Sequence, residues 1–448
     1  MNMDHPKNCE CAFCRDEKPF EIPTHLIEKL SAGDLVVFAG AGISTENKTD
    51  AQSTFYEEIH SELKLDRNQT PSFPDLMSLF CNQPDGRIKL IERIKHRLDY
   101  FSSFDRFYNR MSRFHRALSP FFMITDVITT NWDDFLEREC GFDAFVYDSD
   151  LAFWDASRRR VMKIHGSISN FGSIVATAED YRNSFKRLNN GPLGAHLKSL
   201  IARKTILYVG YSLSDKNYLR LLRNIAKMMG DKARQSYFVS PNINKERLSA
   251  APISLIPIET DGAYFLTELR RQRGNDLGIV NEHAFFDCAL LLEELRSAHV
   301  KATDAFIKTE HPLLIFALSY QDGLSHALQR ILRMRTTGEY HSVESVHNRV
   351  HAYENKINDY LKKDSFWHAA YGAGYQNGLL FLLLRSKDKA AASPPLYEFP
   401  FTPAPKSLSA TLKWPKNRLP QDVAKFVKEM MKGFPKDAGV VPDHPPYF

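Results

Sequence analysis

The sequence predicts an α/β protein, a Rossmann-like parallel sheet carrying a helical insertion, followed by a second, mainly α-helical domain. Three observations predict it. Between residues 34 and 258, short continuous apolar runs end on glycine or polar residues, as strands covered on both faces do. Apolar residues at helical spacing separate several of these runs, the alternation that makes crossover helices between parallel strands. Past about residue 275 the helical spacing continues and the strand-like runs stop.

In chain order, residues 1–20 read as a flexible polar tail with Cys9, Cys11 and Cys14, and order begins near residue 21 with a short helix over Leu26–Leu30. Asp34–Ala39 is the first strand. Residues 51–118 form the helical insertion, with Ile88, Ile91, Ile94 and Leu98 at helical spacing and turns at Pro71–Pro74 and Pro84–Gly86. Strands follow at Met123–Thr129, Phe145–Tyr147, Val161–Ile164, Thr205–Val209, Tyr237–Val239 and Ile253–Ile258, completing a domain over 21–275. The domain over 276–448 has helices at Ala284–Leu295, Leu313–Arg333, Val343–Leu361 and Phe366–Leu384, with Trp367, Tyr371, Leu379 and Leu382 as core. A stretch with seven prolines, Pro394 to Pro420, precedes a last helix at Asp422–Lys432.

Composition sets limits on function. With 43% hydrophobic and 25% charged residues, a wholly disordered or collagen-like chain is excluded. Lys+Arg of 59 against Asp+Glu of 54 leaves +5, too little to imply direct nucleic-acid binding. The longest apolar run, Leu379–Leu384, is far below the ~20 residues of a membrane span, so no membrane association is expected. Six cysteines and a polar start suit the reducing cytoplasm. His5, Cys9, Cys11 and Cys14 are metal-capable residue types, but the tight Cys-x-Cys step departs from common zinc spacings, and the expected metal content is none.

Four strand ends concentrate chemistry. Gly40-Ala41-Gly42-Ile43-Ser44 offers side-chain-free positions where amides approach a pyrophosphate, or simply a tight turn. In Thr129-Thr130-Asn131-Trp132-Asp133, Asn131 offers both a donor and an acceptor to a ribose hydroxyl or a water, while Asp133 or Asp134 is equally a helix cap. Lys163-Ile164-His165-Gly166-Ser167 places a histidine, a general base near neutral pH, beside a glycine that leaves room for a ligand. Gly210-Tyr211-Ser212-Leu213-Ser214-Asp215 is a further phosphate or ribose contact, with Ser214 or Asp215 capping the next helix. Arg158-Arg159-Arg160 is a solvated loop or a phosphate contact.

As an ordered set, these four segments followed by Ile258-Glu259-Thr260-Asp261-Gly262 resemble the sirtuin family over roughly residues 25 to 275. The resemblance implies NAD as substrate. It assigns His165, Asn131 and Asp133 to catalysis, and Gly40, Ala41, Gly42, Ser44, Gly210 and Ser212 to the two loops that hold the dinucleotide; Ile43, Thr130, Tyr211 and Asp215 of the same segments are expected to contact it as well. Protein-deacylating sirtuins carry two Cys-x-x-Cys pairs after the catalytic histidine, whereas here only Cys288 follows His165. The family's Gly-Ile-Pro-Asp-Phe-Arg segment is replaced by Thr45-Glu46-Asn47-Lys48-Thr49-Asp50. The chain is therefore more similar to the zinc-free sirtuin-like effectors of bacterial anti-phage systems, which hydrolyse NAD to nicotinamide and ADP-ribose. A protein deacylase and a non-catalytic NAD or ADP-ribose sensor are the alternatives. The same resemblance implies a homo-oligomer, with a HerA-type ATPase or a short Argonaute as partner and the helical domain as the place of regulation.

Overall fold

The computed structural model describes residues 15–44, 53–66, 68–433 and 442–446. The chain divides into two compact units between Arg273 and Gly274. In the first unit seven strands form one sheet: β1 (Leu35–Ala39), β2 (Asp126–Thr129), β3 (Asp143–Phe145), β4 (Arg160–Lys163), β5 (Thr205–Val209), β6 (Ser236–Ser240) and β7 (Leu255–Glu259). Every pairing is parallel and the order is β3-β4-β2-β1-β5-β6-β7. Strand order thus reverses beside β1. From β1 the chain passes to β2, crosses to the edge strand β3 and comes back to β4 between them, then returns to β5 and works outward to the other edge, which opens a crevice at the carboxyl ends of β1, β2 and β5.

Apolar runs become strands here because both faces are covered, and all five residues of β1 are buried. Helix α1 (Thr24–Ser31) leads into β1. The insertion between β1 and β2 is α2 (Phe55–Glu62), α3 (Phe73–Cys81), α4 (Gly86–Ser103), α5 (Asp105–Met111) and α6 (Arg113–Leu118). A capping box, with Thr54 accepting from the Glu57 amide and Glu57 from that of Thr54, starts α2. Helix α7 (Phe135–Cys140) follows β2, α8 (Ala178–Asn190) and α9 (Pro192–Arg203) precede β5, and α10 (Lys216–Met229) and α11 (Lys245–Ser249) flank β6. Helix α12 (Gly262–Arg273) ends the unit.

Several expectations shift. The third strand is Asp143–Phe145, because Val146 and Tyr147 turn their amides onto the Asp150 carboxylate. Residues 123–125 lie outside β2, which starts at Asp126. Ordered chain also begins earlier than residue 21: Asp16 O accepts from the Asp261 amide at 2.8 Å, and Phe20 packs on Phe265 at 5.2 Å. Residues 1–14, with the three cysteines, lie outside the described residues. On α4 the buried face is Leu90, Ile94 and Phe101, while Ile88 is exposed.

The second unit consists of α13 (Glu282–Thr309), α14 (Leu314–Arg333), α15 (Val343–Lys362), α16 (Phe366–Lys387), α17 (Leu408–Leu412) and α18 (Gln421–Lys432). Helix α13 runs well past the expected Leu295, because Ala298, Ala302 and Phe306 continue its buried face. Glycines let α14 and α16 meet backbone to backbone: a Cβ on Gly323 would lie 2.0 Å from Tyr371 O, and one on Gly374 1.9 Å from Tyr320 O. Among the described residues, no helix is long and apolar enough to cross a membrane.

Candidate active site

A cleft of about 760 Å³ opens where the strand order reverses. Three strand-end turns build its floor. Thr129 Oγ1 donates to Ala39 O at 2.9 Å and accepts from the Asn131 amide at 3.0 Å, which latches the turn after β2 to the end of β1. The turns after β1 and β5 interlock: Gly40 N donates to Val209 O at 2.9 Å and Gly42 N to Gly210 O at 2.8 Å. A Cβ on Gly40 would lie 2.5 Å from Gly210 O, and one on Gly42 2.8 Å from Gly210 Cα. These glycines therefore answer first to the packing of one turn on the other. Ala41, Gly42 and Ser44 line the cleft, as do Thr130, Gly210, Tyr211 and Ser212, whereas Gly40 and Ile43 do not. The Tyr211 ring packs into the core against Phe38 at 4.8 Å.

Asn131 is held by its amide nitrogen, which donates to Ser44 Oγ at 3.2 Å and to Asp133 Oδ2 at 3.3 Å. Its Oδ1 is buried and makes no hydrogen bond. A buried acceptor left open beside a cleft has room for a ligand donor. Asp133 faces two ways, accepting from Asn131 and, through Oδ1, from the Phe135 amide at 3.2 Å at the start of α7. The wholly buried Lys163 braces this turn, donating to Asp133 O and pairing with Glu137 at 2.7 Å.

His165 stands just beyond β4, on the same cleft as Asn131. Its Nε2 lies 3.3 Å from Asp215 Oδ2, and Tyr181 of α8 meets the ring edge-on at 4.9 Å. Burial alone would raise the Asp215 pKa. The bond to His165, the imidazole charge and the amides of Tyr218 and Asn217 outweigh burial and hold it below the ordinary carboxylate value. Asp215 Oδ1 caps α10, accepting from Asn217 N at 2.9 Å and Tyr218 N at 3.2 Å. Expected as a dinucleotide contact, Asp215 also orients the histidine. Gly166 differs from expectation. Its φ of +86° and a Cβ only 2.1 Å from Ser173 O require glycine for the fold, not for ligand space.

The insertion supplies an apolar wall, Phe55, Phe73, Ile94, Leu98 and Met111, that no sequence motif announced. Arg97 and Arg247 also line the cleft. Arg97 bonds Glu58 at 2.6 Å, and Arg247 reaches toward Ser212 O at 3.5 Å. The 158–160 run is elsewhere: Arg159 is buried, donating to the carbonyls of Ser119, Phe121 and Cys140. Arg160 pairs with Asp126 at 2.9 Å, at the amino ends of β4 and β2, away from the cleft. No phosphate contact arises there.

Residues 125–254 match the family model described as a SIR2-like domain, a stretch that holds three of the four site segments. The chain is 26% identical over 232 residues to an NAD(+) hydrolase ThsA of Cytobacillus dafuensis, covering 50% of this chain and 45% of that one. A second ThsA, of Enterococcus faecium, is 26% identical over 225 residues, with 49% and 45% covered. Defense-associated sirtuin 2 of Bacillus subtilis is 25% identical over 329 residues, covering 68% of this chain and 30% of that one. The matches thus span less than half the length of these relatives. A solved structure described as "Structural Basis for the Mechanism and Regulation of Sir2 Enzymes" is 17% identical with a TM-score of 0.32, covering 56% of this chain and 98% of that one.

Proposed function

We propose that this chain, which carries a SIR2-like domain across residues 125–254, is an NAD glycohydrolase that passes the ribosyl carbon of NAD from nicotinamide to water. The products are nicotinamide, ADP-ribose and a proton. One observation carries this reading: Asn131, with its open acceptor, and His165, with a carboxylate behind it, line the same cleft at the reversal of the sheet. Departure of nicotinamide leaves a cationic, oxocarbenium-like ribose carbon, so the protein's task is to hold the sugar and a water together. Because the Asn131 nitrogen is engaged by Ser44 and Asp133, its oxygen is the atom turned to a water or a ribose hydroxyl. With Nε2 of His165 on Asp215, Nδ1 is the ring's proton acceptor, and the carboxylate stabilises the imidazolium that forms. The turns at Gly42 and Gly210 take the pyrophosphate in this proposal.

The relatives' printed names, an NAD(+) hydrolase and a defense-associated sirtuin, support an anti-phage effector that depletes NAD on infection. Purified protein incubated with NAD is expected to release nicotinamide and ADP-ribose. His165→Ala is expected to abolish release with an unchanged circular dichroism spectrum, and a fully active His165→Ala protein would overturn the assignment. Acetyl-ADP-ribose from an acetylated peptide would mark a deacylase instead.

A cytoplasmic homo-oligomer acting with a HerA-type ATPase is the assembly we propose. Phe286, Leu290, Val300 and Ile307 support association, leaving apolar side chains exposed along one face of α13. Mass measurement with and without the ATPase tests it.

A further inference from the structure

A polar cluster in the helical unit takes no part in the proposed reaction. His299 of α13, Asp322 of α14 and Asp443 each bring a donor atom within 4.8 Å of the others. Nε2 of His299 lies 3.8 Å from Asp322 Oδ1. The other oxygen of Asp322 accepts from the His444 amide at 2.8 Å, which fixes the 442–446 segment against the helix. The His444 ring is buried, stacked on Tyr371 at 4.0 Å and bonded to His368 at 2.8 Å. Asp443 is therefore delivered to the cluster by an anchored backbone.

The chemistry of the cluster is that of a cation site. Among the described residues neither Asp322 nor Asp443 pairs with a lysine or arginine, so two carboxylates face each other and one imidazole. An independent observation lies beneath them. Gln321 is wholly buried and donates Nε2 to Leu396 O at 2.9 Å, yet its Oε1, beside His299, is buried without a hydrogen bond. A carboxamide oxygen in that position is the outer partner that commonly orients a metal-bound histidine through its second N–H. Ligands sharing one ion at about 2.0–2.2 Å sit about 3 to 3.5 Å apart, so the His299–Asp322 pair needs only a small closure.

We propose that His299, Asp322 and Asp443 bind a divalent first-row cation, and that the ion fastens residues 442–446 onto α13 and α14. One nitrogen and two carboxylate oxygens suit Mn2+ or Zn2+. Mn2+ is the better probe because the thiolates of Cys9, Cys11 and Cys14 compete weakly for it.

The full chain, treated with EDTA and dialysed, is titrated with MnCl2 by calorimetry. One Mn2+ per chain is expected, weakened at least about tenfold by Asp443→Asn and by His299→Gln. Asp443 is exposed, so its replacement leaves the fold intact by circular dichroism. Amide exchange of residues 442–446 is expected to slow on adding Mn2+ in the parent chain and not in Asp443→Asn. The proposal is overturned if no Mn2+ binds at about 1 mM, the weak end of protein cation sites. It is equally overturned if both variants bind as the parent does, or if binding is lost instead in His347→Ala, which would place the ion on the exposed His347–His351 pair.

Discussion

Replacing Asp215 by asparagine isolates the charge behind His165. The 3.3 Å separation and side chains only 10% and 12% exposed set the scale of the interaction. At an effective dielectric of about 20, a carboxylate and an imidazolium at that distance attract by about 5 kcal/mol, which is a ceiling. At about 1.4 kcal/mol per decade the ceiling corresponds to about 3.5 decades in rate, so a fall in kcat of about 10² to 10³ is expected. Asparagine still accepts from the Asn217 and Tyr218 amides, so unfolding free energy should move by less than about 1 kcal/mol. The assay is chromatographic release of nicotinamide, with kcat and KM determined separately. KM should change little. Added to His165→Ala, the Asp215→Asn change should cost nothing further, since the two residues act as one unit. A wild-type kcat in Asp215→Asn would refute the reasoning.

Asn131→Ala should reduce kcat at least about 100-fold while the melting temperature shifts little, because it removes an unsatisfied buried oxygen together with two modest hydrogen bonds. Gly42→Ala drives a Cβ to 2.8 Å from Gly210, so a loss of about 1–3 kcal/mol in urea unfolding and a raised KM for NAD are expected. His115, wholly buried, is depressed by that burial to about 4. Its neutral form is the one the fold retains, while the unfolded chain takes up a proton near 6.5. Stability should therefore fall by up to about 3 kcal/mol between pH 6.5 and 4, and His115→Gln should flatten that slope in denaturant titrations at pH 7 and 5.

The parallel sheet was legible because its strands are covered on both faces, and continuous apolar runs such as Leu35–Ala39 follow directly from that. That the four site segments border one cleft was legible for a related reason: the turns at the carboxyl ends of neighbouring parallel strands meet there. Strand edges were less so, since the end of β3 is set by the Asp150 carboxylate taking two amides, a side-chain event without periodicity. The His165–Asp215 pairing joins residues 50 positions apart, and no spacing rule announces it. Gly166 was misread because a glycine forced by Ser173 and one left clear for a ligand look alike until the neighbour is known. Arg159 misled in a similar way, as its charge is consumed by three carbonyls contributed by distant turns.

The interlocked glycine turns constrain how the protein could be silenced. With Gly42 hydrogen-bonded to Gly210 and neither able to bear a side chain, neither turn can swing away without dragging a central strand with it. An off-state reached by retracting one of these glycine turns would mean unzipping the middle of the sheet. Control would then act on the other walls of the cleft, the insertion helices or the imidazole–carboxylate pair, while the base stays put.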